Sequence, residues 1–200
     1  MNTKKAAYQD IHYFKYLSLQ NAKWFIDIIL NKQLHASNVS ELNDPMESFY
    51  STTKGNLKKF TYKMKHEKVF VCSLSKESDN YLLWSHYADG HKGCCIEVSA
   101  KAPNKGFIEV EYDNRKAYEA KNREDINELL KYKLDCWKYE NEVRYIRRDS
   151  HLYVYIHKVI FGMSTSSKDC NFYSKLIKSI DSNIDTVRIK DLNEFKEPKF

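Results

Sequence analysis

The largely apolar IHYFKYLS (11–18) reads as an opening strand, and the spacing of apolar positions then changes. In LQNAKWFIDIILNKQ (19–33) Trp24, Ile28 and Ile29 recur at helical spacing, so a strand followed by a helix is predicted. A second extended piece, LHASN, comes next. Asn43-Asp44-Pro45 then predicts a turn, because Asn and Asp accept backbone hydrogen bonds locally and Pro cannot continue a ladder. KVFVCSLS (68–75) reads as a buried strand. NYLLWSHYADGHKGCCIEVS reads as a short helix and a strand from Cys94 to Val98, with Gly90 and Gly93 marking the break. FIEVEYD (107–113) alternates in period two, and a polar, helix-prone segment runs from about Lys116 to Cys136. A strand LYVYIHKVIFG (152–162), a helix near Ser167 to Ser182 and a closing strand TVRIK complete the pattern. Several strands are adjacent, which predicts one α+β domain over residues 1–200, with a core at about 11–192, built on a mostly antiparallel, split β-sheet with flanking helices.

Between the helix-prone segment and the last long strand stands WKYENEVRYIRR (137–148). In an extended chain Glu140, Glu142 and Arg144 share one face, with Tyr139, Val143 and Tyr145 opposite. In a helix Glu140 and Arg144 would instead form an i,i+4 ion pair, but the Val, Tyr and Ile that follow favour a strand. The same spacing describes a half-exposed strand with a solvated charged side.

At 200 residues with 42% hydrophobic content, the chain is long enough for one sizeable core. The opening MNTKKAAYQDIHYF holds no apolar run of signal-peptide length and no stretch approaches membrane-spanning length, so a cytoplasmic chain with no membrane partner is expected. Five cysteines, mostly in apolar segments, are expected to be reduced and buried. The net charge of +6 is uneven. Six lysines and one Glu fall between Lys54 and Lys68, interleaved with Phe60, Tyr62 and Met64. Lys58, Lys59 and Lys63 could follow a phosphate backbone while Phe60 and Tyr62 stack on bases, or the segment could be a lysine-faced surface that keeps the chain soluble. HYADGHKGCC gathers His86, His91, Cys94 and Cys95, but the spacings match no familiar zinc finger, and no metal is expected. Neither a P-loop nor a Gly-x-Gly-x-x-Gly is present.

The pieces FKYLS, LNDPMESF, LLWSHYADGHKGCCIEV, WKYENEVR and IHKVIFG occur in the order seen in the bacterial domain-of-unknown-function 2971 family, which this chain resembles over roughly residues 11–192. The opening YFKYLSLQNAKWFIDIILNKQLHAS also looks like the strand, helix and strand that begin ADP-ribosyltransferase folds, including those of enzymes that modify nucleic acid. Such enzymes resemble the chain further in a small-hydroxyl strand comparable to CSLS and in a catalytic motif ending in Glu-x-Glu or Gln-x-Glu.

That second resemblance implies an ADP-ribosyltransferase-like fold and a mono-ADP-ribosyltransferase. NAD would be its substrate, and RNA ahead of DNA, or a protein, its acceptor. Glu142 matches the catalytic carboxylate and Glu140 the position that orients the acceptor. Lys15 stands where the resembled enzymes carry His or Arg, offering a point charge instead of a fork. Ser73 and Ser75 fall on the hydroxyl strand, and Tyr16, Trp84 and Tyr87 are the aromatic rings available to nicotinamide or adenine. Cleaving the nicotinamide–ribose bond develops an oxocarbenium ion that a carboxylate can stabilise. A toxin-like or phage-defence effector, with a cognate antitoxin as a further partner, fits this reading. Two alternatives stand beside it: a non-enzymatic nucleic-acid-binding module, and a metal-independent nuclease or NAD glycohydrolase.

Overall fold

The structure, a computed structural model, describes residues 11–42, 49–51, 57–59, 68–101, 106–120 and 126–195. In chain order the elements begin with β1 (Tyr13–Leu17), α1 (Ala22–Asn31), β2 (Gln33–His35), β3 (Ser37–Asn38) and a 3-10 turn Val39–Glu41. Then come β4 (Phe49–Ser51), β5 (Leu57–Lys59), β6 (Phe70–Ser75), α2 (Tyr81–Tyr87), β7 (Cys94–Ala100), β8 (Phe107–Glu109) and β9 (Glu111–Tyr112). The remainder is α3 (Asn114–Ala120), α4 (Ile126–Lys131), β10 (Tyr132–Lys133), a 3-10 helix Asp135–Glu140, β11 (Glu142–Arg147), β12 (His151–Phe161), α5 (Ser167–Ile180), β13 (Asp185–Arg188) and a 3-10 turn Leu192–Glu194. The class is α+β with mostly antiparallel pairing, as the pattern predicts. No helix among the described residues is long and apolar enough to cross a membrane. The described residues cluster into two compact units, each assembled from separated stretches of chain.

The first unit takes its residues from 1–34, 74–103 and 153–200. Its strands run β13-β12-β7-β1 and then the end of β6. β1 lies antiparallel between β7, with Lys15 opposite Ile96, and β6, with Phe14 opposite Ser75. β12 pairs antiparallel with β7 and parallel with β13, and its register against β7 shifts between Ile156 and Lys158. Helix α1 starts where Asn21 accepts the Trp24 amide and stops at Lys32, whose left-handed backbone lets its N–H reach the Ile28 carbonyl. The buried stripe of α1 is Phe25, Ile28 and Ile29, an i, i+3, i+4 set. Trp24, which the pattern predicts to belong to it, is exposed. Phe25 meets Tyr173 of α5 edge to face at 5.2 Å, in a core that includes Ile96, Val98, Val159, Phe161 and Ile177.

The second unit takes residues from 35–73 and 104–152. Here β6 pairs antiparallel with β3 and lies next to β11, which pairs antiparallel with β8, Arg144 opposite Ile108. A short parallel pair, β9 with β10, places Lys133 opposite Tyr112, and β4 pairs with β5. Val39, Val69, Val71, Leu129 and Leu130 form its core, with Leu42 and Ile146 packed against them. Two expectations change. FIEVEYD is two strands divided at Val110, whose amide donates to the Glu142 carbonyl at 3.0 Å. The helix-prone stretch 116–136 is not helical throughout, since α4 is followed directly by the short strand β10. The turn at Asn43-Asp44-Pro45 and most of Lys54 to Lys68 lie outside the described residues.

Candidate functional site

The Glu-x-Glu-x-Arg motif is a corner, not a straight strand face. Glu140 closes the 3-10 helix that Asp135 opens. Asn141 then takes φ 42°, a left-handed conformation that Asn tolerates better than most residues, and Glu142 begins β11. The expectation that Glu140 shares a strand with Glu142 is therefore corrected. So is the solvated face: Glu140 and Glu142 are each 5% exposed and Arg144 is 1% exposed.

Burial on this scale demands partners, because an unpaired ion in a low-dielectric interior is costly. The partner that spacing does not reveal is Lys133, also 5% exposed, on β10. Its Nζ donates to Glu140 Oε2 at 2.5 Å and to Glu142 Oε2 at 3.2 Å, and it lies 4.8 Å above the Trp137 ring. Arg144 completes the set with a two-toothed bond, Nε to Glu142 Oε1 and Nη2 to Glu142 Oε2, both at 2.9 Å. A third arm, Nη1, donates to the Leu130 carbonyl at 3.0 Å. The Glu142 amide donates to the Tyr112 hydroxyl at 2.8 Å.

Among the described residues, two cations thus pair with two carboxylates. Burial pushes the Glu142 carboxyl upward, but the charges of Arg144 and Lys133 and hydrogen bonds from Arg144 and Ser73 outweigh it, holding the group at about 2. Glu142 stays ionised and its carboxylate is fixed in orientation. Burial also raises the Tyr112 hydroxyl, and pushes Tyr139 up to about 12.

The other sequence-derived candidates divide between the units. Ser73 belongs with Glu142 in the second. Tyr16, Ser75 and Trp84 gather in the first: the Tyr16 hydroxyl donates to the Glu77 carbonyl at 2.8 Å, Ser75 Oγ accepts the Glu77 amide at 3.1 Å, and the Tyr16 and Trp84 rings meet edge to face at 5.3 Å. Trp84 is fully buried, its indole N–H on the Ser78 carbonyl at 2.8 Å, so it and Tyr16 act here as core rings. Tyr87 is half-buried at the end of α2, and Lys15 is half-buried on β1, in the first unit. Lys58 and Lys59 lie on β5, where only the backbone is described; Phe60, Tyr62 and Lys63 lie outside the described residues.

Among the described residues no group of three His, Cys, Asp or Glu side chains is arranged to hold a metal ion. None of the five cysteines is in a disulfide; Cys72, Cys94 and Cys95 are buried and Cys136 is exposed. Burial pushes the Cys94 and Cys95 thiols up, which makes them poor nucleophiles. Sequence reasoning passed over a second polar group in the first unit: His12 Nδ1 and Lys158 Nζ reach Glu97 at 2.5 and 3.3 Å, and the His12 ring stacks on His157.

What the geometry defines is a chain of α+β class whose second unit holds a buried cluster in which Lys133 and Arg144 pair with Glu140 and Glu142. The family model described as "Protein of unknown function (DUF2971)" matches residues 83–145, a stretch that contains Lys133, Glu140, Glu142 and Arg144. That match supports the first of the two resemblances. No curated protein and no solved structure matches the chain.

Proposed function

We propose that the chain is a mono-ADP-ribosyltransferase that uses NAD, with Glu142 as the carboxylate on which turnover depends. The observation that supports this reading is the state of Glu142: ionised, immobilised and held by a bidentate arginine. A fixed negative charge that needs no reorganisation is what an oxocarbenium ion requires as the bond from ribose C1′ to nicotinamide breaks. Nicotinamide leaves with the bonding electrons, the acceptor's oxygen or nitrogen bonds to C1′, and Glu140 takes the acceptor's proton. Arg144 and Lys133 are positioning residues. The acceptor is RNA ahead of DNA or protein, and the setting a toxin-like or phage-defence effector.

The 5% exposure of Glu142 favours a second reading, in which the cluster is framework and the chain binds nucleic acid without chemistry. Purified protein incubated with labelled NAD and either cellular RNA or protein separates the readings. Transfer of label supports the transferase; release of nicotinamide without transfer points to an NAD glycohydrolase; RNA binding alone points to the binding module. In the transferase, Glu142→Gln is expected to lose about a hundredfold or more in rate. Glu140→Gln is expected to lower transfer more than NAD hydrolysis. Transfer at the parent rate by a folded Glu142→Gln protein would remove the main support for this function.

A further inference from the structure

His91 stands in the stretch HYADGHKGCC and takes no part in the carboxylate cluster. It is 5% exposed and its backbone sits at φ +67°, left-handed for a residue with a side chain. Such a conformation persists only where the surroundings over-determine it. They do: the His91 amide donates to the Trp84 carbonyl at 3.2 Å and its carbonyl accepts the Ser164 amide at 3.0 Å. Gly162 comes so near that a Cβ there would stand 2.1 Å from the His91 oxygen.

Its ring is just as constrained. Ser85 Oγ donates its single proton to the Tyr81 carbonyl at 3.1 Å, so it accepts from His91 Nε2, 3.1 Å away. Nε2 therefore carries the ring proton and Nδ1 the lone pair. That lone pair is buried and has no hydrogen-bond partner among the described residues. Burial holds the ring's pKa below the usual value, which keeps it neutral. A buried acceptor without a donor is uncommon enough to require a reason.

The His91 ring lies among aromatic side chains. The Tyr81 ring lies 4.4 Å from the His91 ring, and the Phe195 ring meets both edge on, at 5.4 Å to His91 and 5.5 Å to Tyr81. Tyr81 is 41% exposed, so the group opens to the surface. Phe195 arrives on a segment whose preceding residues, 191–194, are all exposed and bonded locally, Asn193 N–H to Asp191 Oδ1 at 2.8 Å and Lys190 N–H to Glu194 Oε1 at 2.6 Å. Such a segment is of the low-stability kind that opens without unfolding the rest.

We propose that His91, Tyr81 and Phe195 form a covered binding site for a planar heteroaromatic ring bearing an N–H donor: the ligand ring takes the place of Phe195 and its N–H donates to Nδ1 of His91. The exocyclic amino group of adenine and the carboxamide of nicotinamide are such donors. The site rests on the NAD reading for this choice of ligand, but ring binding is measured without transfer, so either can fail alone.

The test is a titration of the full chain, labelled with 15N-histidine, by AMP and separately by nicotinamide mononucleotide, following the Nδ1 resonance of His91. His91→Asn assigns that resonance, since Asn tolerates the left-handed backbone. Either nucleotide is expected to move the Nδ1 signal in the direction of an accepted hydrogen bond, whereas purine riboside monophosphate, which lacks the amino group, is expected to bind about tenfold more weakly and leave it in place. Phe195→Ala is expected to tighten binding about tenfold, because no ring has to be displaced first. An Nδ1 resonance that neither nucleotide moves, in the parent chain and in Phe195→Ala, would overturn the proposal, as would an equal response to purine riboside monophosphate. Should Phe195→Ala fail to fold, the titration of the parent chain still decides.

Discussion

Glu142 lies between a bidentate arginine and a lysine, and that placement has a pH signature. Its folded pKa of about 2 is below the ordinary 4.5, so the stabilisation it contributes is fully present above the ordinary value. It is lost as pH falls toward 2. The loss is on the order of 3 kcal/mol for a depression of this size. Glu97, against the upward push of its burial, and Asp181 are also depressed, by hydrogen bonds and charges from His12 and Lys158 and from Lys32 respectively, so acid alone does not isolate Glu142. The urea midpoint measured from pH 6 down to pH 3 should therefore fall more steeply in the parent chain than in Glu142→Gln, and parallel slopes would mean the cluster is not ionised as described. The same variant takes a buried carboxylate partner from Arg144 and Lys133, a loss that costs about 3–5 kcal/mol, so its activity must be read beside its stability. The two-residue spacing made Glu142 and Arg144 legible as neighbours. Lys133 was not legible, because nine residues separate it from Glu142 and only the parallel pairing of β9 with β10 carries it there.

Among the elements, β7 and β12 owe their ends to two glycines that work by lacking a side chain. A Cβ on Gly93 would stand 2.1 Å from the Leu17 carbonyl oxygen and 2.9 Å from that of Ala88, and one on Gly162 would meet the His91 oxygen at 2.1 Å. Those atoms are backbone, and two of them are tied by hydrogen bonds, the Ala88 carbonyl by the Gly93 amide at 2.8 Å and the His91 carbonyl by the Ser164 amide at 3.0 Å. They cannot yield as a flexible side chain would. Gly93→Ala and Gly162→Ala are each expected to destabilise by about 3 kcal/mol or more, measured by denaturant melting, whereas a loss below about 1 kcal/mol would show that the strand ends shift freely. Elements with an unmixed period were readable from the chain: α1 from its apolar stripe, and β12 from Leu152, Val154 and Ile156 buried in alternation. The corner at Glu140 was not, since it depends on one left-handed Asn141 that local composition does not announce. Trp24 misled for a related reason: helical spacing admits either 24 or 25 to the stripe, and packing against Tyr173 selected Phe25.

At the scale of the whole molecule the net charge of +6 is the property that would favour a polyanionic acceptor in the proposed transferase. Both compact units are discontinuous in sequence, so neither corresponds to a single excisable segment, and binding has to be measured on the full chain. Among the described residues, Lys133 and Arg144 of the cluster around Glu142 face the carboxylates of Glu140 and Glu142, so these four side chains add nothing to the excess charge. An attraction for RNA must come from lysines outside it, and six of them are concentrated between Lys54 and Lys68. If that segment meets the acceptor, each phosphate it neutralises releases counterions, and the logarithm of the binding constant falls with the logarithm of salt at a slope set by the number of phosphates neutralised. Changing Lys58, Lys59 and Lys63 together to Ala should then weaken binding of single-stranded RNA and flatten that slope by about one for each phosphate no longer neutralised. Phe60→Ala and Tyr62→Ala should weaken binding at every salt concentration while leaving the slope unchanged, because stacking on bases releases no ions. A triple-lysine variant whose slope equals the parent's would reassign the stretch to ordinary solvated surface and count against its contact with any RNA acceptor.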